Sequence, residues 1–238
     1  MKLVIGAAGR GTRFKELTRD LPKHLLPING QPFLKYILDN AISAGFSEII
    51  IIVGYQAEKI QEFIAQQQFS VPIKLVDQIE KLGSEKYGTA CLVECVQDII
   101  GQENFTLMHG DTLFSATDLK QIQINDDLNY LAGYKHAQPE QYGVLIKEQQ
   151  NNLIQIKEKP TEFVGDLINV ALYKFTPEIF IAVKQIKKSP RGEYELTEAI
   201  NLLAQQQKVK VVQLKDYWLD LGQPEDIPII EKFLCAKK

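Results

Sequence analysis

Between Glu48 and Tyr55 the chain places four isoleucines in a row, Ile49 to Ile52, followed by Val53. A strand with one wet face alternates apolar and polar residues, whereas this run is apolar on both faces. It reads as a strand of a parallel sheet covered by helices on each side. Its neighbours in sequence fit that reading. Leu3–Ala8, Pro72–Asp77 and Asn104–His109 are further strand candidates. Between them, Pro32–Ala44 has apolar residues at Phe33, Tyr36, Ile37, Leu38, Ala41 and Ile42, a helical period. Ala57–Gln67 and Gly88–Ile100 read as helices in the same way. Strand and helix in alternation imply βαβ units with right-handed crossovers. Ligands of such sheets bind beyond the carboxyl ends of the strands. Three polar stretches follow predicted strand ends: Gly6–Arg13, Gln78–Thr89 and Gly110-Asp111.

The second half is richer in strands. Leu128–His136, Gly143–Glu148, Leu153–Lys157 and Leu167–Phe175 are strand-like, helices are expected over Pro177–Gln185 and Glu195–Gln207, Val209–Leu221 is strand-like, and a last helix starts near Glu225. The expected fold is α/β, a Rossmann-like mixed, mainly parallel sheet flanked by helices. No linker divides it, so residues 1–238 read as one domain with halves 1–125 and 126–238. A chain of 238 residues buries enough surface to fold without disulfides or a structural metal. Cys91, Cys95 and Cys235 are too few for a disulfide framework, and Cys91 and Cys95 read as small buried hydrophobes on one helix face. The net charge of −3, with no basic block, argues against a nucleic-acid surface. No secretory leader is visible and no apolar run approaches the roughly 20 residues that span a membrane, so the expected location is cytoplasmic.

Gly6-Ala-Ala-Gly-Arg-Gly-Thr-Arg13, directly after a strand, is the strongest local signal. Small residues there let backbone N–H groups approach a polyphosphate, and Arg13 adds a planar donor fork for its oxygens. It is not a Walker A loop, since no Gly-Lys-Ser/Thr follows, and it lacks the third glycine of the dinucleotide fingerprint. Ten residues on, Leu21-Pro-Lys-His-Leu-Leu-Pro27 brackets Lys23 with two prolines that stiffen the segment.

Together, Ala7–Phe14 and Pro22–Pro27 resemble the signature of the sugar-1-phosphate nucleotidyltransferases, whose fold is the nucleotide-diphospho-sugar transferase fold. The resemblance continues in order through Gly110-Asp111, Tyr142-Gly143-Val144, Glu158-Lys159-Pro160, Leu167–Tyr173, Arg191–Thr197 and Trp218–Asp226. The chain departs from the pattern at Ala7-Ala8, where paired glycines are common, at Glu16, where a proline is common, at Ala171, where a glycine is frequent, and at Gln223, where a threonine is frequent.

The resemblance implies transfer of a nucleotidyl group from an NTP to a sugar 1-phosphate with release of pyrophosphate. It makes residues 1–125 a nucleotide-binding half and 126–238 a sugar-phosphate-binding half. It implies that Ala7, Ala8, Gly9, Gly11, Thr12, Arg13 and Lys23 hold the nucleotide's phosphates. Asp111 and Asp220 would carry Mg²⁺, and with Arg13 and Lys23 they form the catalytic set. Gly143, Glu158, Lys159, Asn169 and Arg191 would bind the sugar phosphate. Gln78, Gly83, Gly88 and Thr89 are candidates for the base, with the choice between the two glycines open. Gln78 offers both a donor and an acceptor to a pyrimidine edge, which favours UTP or dTTP, although it could equally cap its own loop. Segments Pro27–Phe33 and Val53–Glu58 resemble the GTP-using mannose and heptose branch. A non-catalytic regulatory homologue is the alternative of another class; joint retention of Arg13, Lys23, Asp111 and Asp220 speaks against it. The sequence is silent on a homo-oligomer.

Overall fold

The computed structural model describes residues 1–237. Their contacts fall into two compact units. One comprises Met1, Gln78–Leu107 and Gln121–Lys215; the other comprises Lys2–Asp77, Met108–Lys120 and the segment from Asp216 onward.

In the second of these, the isoleucine run forms the strand Glu48–Val53 with parallel neighbours on both sides, Lys2–Ala7 and Ile73–Asp77. Ile49, Ile50, Ile51 and Ile52 are all fully buried, as a strand covered on both faces requires. Burial of each stabilises by roughly 1.5–3 kcal/mol. Helix Phe33–Ser43 buries Phe33, Leu34, Ile37, Leu38 and Ala41 on one face and packs against a short strand, Thr112–Phe114. That strand pairs antiparallel with Trp218–Asp220. Helix Ala57–Ala65 follows the isoleucine strand, and helix Asp226–Ala236 closes the chain.

The other unit holds a mixed sheet. Asn129–Lys135 runs between antiparallel Leu167–Phe175 and parallel Val209–Gln213. Leu167–Phe175 also meets Gly143–Lys147, which forms a hairpin with Leu153–Glu158. Phe105 stacks on Phe180 at 5.6 Å and lies 5.8 Å from Phe175, an aromatic core against the strand Phe105–His109. Lys174 is fully buried, and its ammonium donates to the carbonyls of Asp126 (2.6 Å) and Leu128 (2.7 Å). These bonds compensate a charge that burial would otherwise make costly.

The α/β reading holds, and several boundaries differ from expectation. Gly88–Ile100 is two short helices, Cys91–Glu94 and Gln97–Ile100, with Val96 out of helical conformation between them. Gln78 opens a five-residue helix, Gln78–Leu82. Val209–Leu221 is two strands, Val209–Gln213 and Trp218–Asp220. Cys91 and Cys95 are buried, as expected of small hydrophobes. Among the described residues, no helix is long and apolar enough to cross a membrane.

Candidate active site

The strand Lys2–Ala7 delivers the glycine-rich loop at its carboxyl end. The Ala7 side chain is fully buried, so only its backbone is available to a ligand. Ala8 accepts from Tyr55 N–H at 3.4 Å, and Gly54 lies so close that a Cβ there would stand 3.1 Å from Ala8. Gly9 has open space on its Cβ side, which leaves room for a polyphosphate to approach. Gly11 is left-handed (φ 60°), and a Cβ there would touch the stem of Lys23 at 3.3 Å. Its carbonyl accepts from Phe14 N–H and from the Thr18 hydroxyl. Thr12 and Arg13 are exposed. The Pro-bracketed segment is a single helical turn, Lys23–Leu25, against this loop.

Gly110 N–H donates to Gly6 carbonyl at 2.8 Å, which sets Asp111 beside the loop. A Cβ at Gly110 would meet that carbonyl at 2.9 Å and the His24 ring at 3.1 Å, so the close approach needs glycine. Lys23 Nζ meets Asp111 Oδ2 at 2.5 Å. The antiparallel pair aligns Asp220 with Thr112, and Leu221 N–H donates to Asp111 carbonyl at 2.8 Å. Two carboxylates more than 100 residues apart in sequence are therefore adjacent. Asp226 then locks the turn: its carboxylate accepts from Gly222 N–H (2.9 Å) and Gln223 N–H (2.8 Å). Asn40 donates to Phe114 carbonyl (2.7 Å) and to Tyr217 hydroxyl (2.9 Å), tying together the strand after Asp111 and the residue before Trp218–Asp220.

The electrostatics of the pair are unequal. Burial pushes the Asp111 carboxyl up, but the charge of Lys23, assisted by the His109 and His24 rings and the Lys23 hydrogen bond, holds it well below the usual range. Burial and the charge of Asp111 push Asp220 up to about 7, against the opposite pull of Lys23 and Arg13. Crowded carboxylates of this kind suit a divalent cation, which takes one or two carboxylates together with phosphate oxygens and water.

The remaining expected residues belong to the other unit. Gln78 is buried, and its amide N–H donates to Lys86 carbonyl at 3.4 Å. Gly83 (φ 80°) has open space at its Cβ position. Gly88 does not: a Cβ there would lie 2.4 Å from Tyr194 N and O. Thr89 hydroxyl accepts from Leu196 N–H at 2.8 Å, so Gly88 and Thr89 hold the start of helix Leu196–Gln205. Glu158 pairs with Gly143 across the hairpin, and a Cβ at Gly143 would stand 3.0 Å from Glu158 Oε1. Burial pushes the Glu158 carboxyl up against the pull of Arg191. Asn169 Nδ2 donates to Tyr173 hydroxyl (3.0 Å), and its Oδ1 accepts from Ala171 N–H (3.1 Å). Lys159 is left-handed (φ 39°), and its N–H donates to Tyr142 carbonyl at 3.0 Å. Arg191 pairs with Glu195 at 2.8 Å. Within this unit Gly143, Glu158, Asn169 and Arg191 gather, and Gly88 and Thr89 pack against the Tyr194–Leu196 segment.

Sequence reasoning placed Asp226 and Glu195 inside segments of the resemblance without making either a site residue, and it did not single out Asn40. Asp226 is an acidic residue in the first turn of the last helix, and Glu195 stands four residues from Arg191. Nothing local marks Asn40.

A model of the family described as nucleotidyl transferase matches residues 2–237. The chain belongs to this family. This nucleotidyl transferase is 35% identical over 244 residues to the "Bifunctional protein GlmU" of Methanocaldococcus jannaschii, covering all of this chain and 55% of that protein. It is 34% identical over 232 residues to the "UTP--glucose-1-phosphate uridylyltransferase AglF" of Haloferax volcanii, covering 95% of this chain and 93% of that one. It spans about half the length of several curated relatives that it matches, GlmU proteins among them. A crystal structure of UDP-glucose pyrophosphorylase complexed with UDP-glucose shares its fold, with TM-score 0.87, 22% identity and coverage of 100% of this chain and 99% of the other.

Proposed function

We propose that this nucleotidyl transferase moves the nucleotidyl group of an NTP, UTP or dTTP by preference, to a sugar 1-phosphate and releases pyrophosphate. The observation that carries the reading is the Lys23–Asp111–Asp220 group tied to the Gly6–Arg13 loop. In-line attack by a sugar phosphate oxygen on the α-phosphorus forms one P–O bond and breaks the bond to the β-phosphate. The attacking oxygen is already ionised, so no general base is needed. What the chain must supply is position and positive charge between two polyanions.

In this reading the loop N–H groups from Ala8 to Thr12 receive the triphosphate, and Arg13 and Lys23 neutralise it. Asp111 and Asp220 are the ligands for Mg²⁺, which when bound offsets phosphate charge and orients the α-phosphate. Asp226 and Asn40 hold the two carboxylates in register. Lys159 and Arg191 bind the sugar's phosphate, and Glu158 accepts from its hydroxyls over the space left by Gly143. Asn169 keeps a second amide N–H and a second lone pair for the sugar. Gly83, with open space where Gly88 has none, is the better candidate beside a base. The name of the Haloferax relative, a UTP--glucose-1-phosphate uridylyltransferase, supports UTP. The cytoplasm, which supplies NTPs, is the compartment proposed, and assembly into a homo-oligomer is read by light scattering.

The test is a panel of UTP, dTTP, CTP, GTP and ATP against hexose and heptose 1-phosphates with pyrophosphate as readout. UTP or dTTP should give the highest kcat/KM. A preference for GTP would overturn the nucleotide assignment, and no pyrophosphate with any pair would overturn the reaction.

A further inference from the structure

Ala171 sits inside the strand Leu167–Phe175 in the left-handed region, with φ 56°. The strand register shifts between Asn169 and Tyr173, so Ala171 lies in a bulge. An alanine is strained there, because its Cβ crowds the backbone in a way that glycine avoids. The other left-handed residues besides glycine include Asn29, Asn151 and Gln207, which lie in turns or just beyond a helix; Ala171 alone among the described residues lies within a strand.

The surroundings hold the methyl in that position. Asn169 accepts from Ala171 N–H and donates to Tyr173 hydroxyl, so one side chain bridges the bulge from end to end. Along the strand Ile168, Val170 and Leu172 are buried, whereas Asn169 and Ala171 share the half-exposed side. Glu158, whose carboxylate lies over Gly143, is close enough to push the Tyr173 hydroxyl up electrostatically, after burial itself. Lys159, next to Glu158, is also left-handed. Strain that the structure over-determines gathers at ligand sites.

We propose that the Ala171 methyl is a steric gauge in the sugar subsite, a specificity-determining contact that sets how much bulk the pyranose ring carries on that side. The inference rests on the sugar 1-phosphate reading above. A cheaper residue, glycine, would hold the same backbone, so the methyl itself is what the position supplies. One methyl group against a ligand discriminates by about 10-fold or more.

The experiment compares wild type with A171G in two measurements. Thermal unfolding should shift upward in A171G as the strain is relieved. Steady-state kinetics with UTP and a panel of glucose, galactose, mannose and N-acetylglucosamine 1-phosphates should show the kcat/KM ratio between best and worst sugar falling about 10-fold. KM for UTP should stay within a factor of about two, because the gauge touches only the sugar. A panel ratio unchanged in A171G, with the wild type turning over, overturns the gauge and leaves the reaction intact. Equal loss toward UTP and sugar also overturns it. A wild-type chain that releases no pyrophosphate with any pair overturns the functional reading and the gauge together.

Discussion

Asp111 and Asp220 are the same residue type in neighbouring positions, and their surroundings drive them apart. Asp111 has Lys23 at 2.5 Å and is held ionised; Asp220, buried beside that charge, is pushed up to about 7. A divalent cation between such groups favours the ionised form of both. Asp111→Asn and Asp220→Asn should each lower kcat/KM by about 100-fold or more, in the range seen for removal of one preorganised electrostatic group. Pyrophosphate release with added Mg²⁺ measures this, and full turnover in excess chelator would contradict the metal assignment. Cations divide differently. Arg13→Ala and Lys23→Ala should raise KM for the NTP, whereas Lys159→Ala and Arg191→Ala should raise KM for the sugar phosphate. Varying each substrate in turn checks the division; equal losses for both substrates in all four variants would refute it. Arg191 starts from an ion pair with Glu195, so Glu195→Gln should tighten or leave unchanged the sugar phosphate KM.

At the scale of elements, the short hairpin of Thr112–Phe114 with Trp218–Asp220 converts two distant segments into one carboxylate pair. Asp226, the first residue of the last helix, fixes the turn that follows Asp220 by accepting from Gly222 and Gln223 N–H. Asp226→Ala should cost about 1–3 kcal/mol of stability, because Gly222 and Gln223 N–H lose a charged acceptor. It should also raise the Mg²⁺ concentration for half-maximal rate, and an unchanged Mg²⁺ requirement would show that the turn does not position Asp220. The same hairpin marks the limit of what could be read from the residues. The strand Glu48–Val53 was legible because four isoleucines admit little else, and Leu167–Phe175 because its apolar run ends in clear turns. Three residues carry no period, so Thr112–Phe114 was not recognised and Trp218–Asp220 merged into the strand before it. The glycine-rich loop and Lys23 were legible from composition and spacing. The tight packing of Gly88, which Gly83 does not share, was not, since it depends on the Tyr194 backbone, a contact across 106 residues that no local pattern encodes. The same contact explains Thr89, whose hydroxyl is engaged by Leu196.

On the scale of the whole molecule, the carboxylate pair and two histidines set the acid stability of the fold. Burial, then the charge of Lys23, lowers His24 from its ordinary value to about 3. Burial likewise lowers His109. His24 Nδ1 and His109 Nε2 are buried without a hydrogen-bond partner among the described residues, so neither ring gains from taking up a proton. The unfolded chain binds a proton at His24 near pH 6.5, while the folded chain does not until about pH 3. Stability from His24 is therefore complete above about pH 6.5 and is lost as pH falls from there towards about 3, by about 1.4 kcal/mol per pH unit, and His109 acts in the same direction. Asp220 acts in the opposite direction without metal. Its folded value of about 7 lies above the unfolded one near 3.8, so the folded chain binds the extra proton and gains stability as pH falls between them. His24 and Asp220 then nearly cancel between pH 6.5 and 5. His24→Leu should shift the dependence of the urea midpoint on pH in that window towards greater stability at low pH, and Asp220→Asn should steepen the loss of stability towards acid, because in each variant the opposing group is gone. Excess Mg²⁺ should steepen the wild type toward the Asp220→Asn profile, since a carboxylate that holds a cation does not hold a proton. Parallel pH profiles for wild type, His24→Leu and Asp220→Asn would show that these two groups do not carry the acid response.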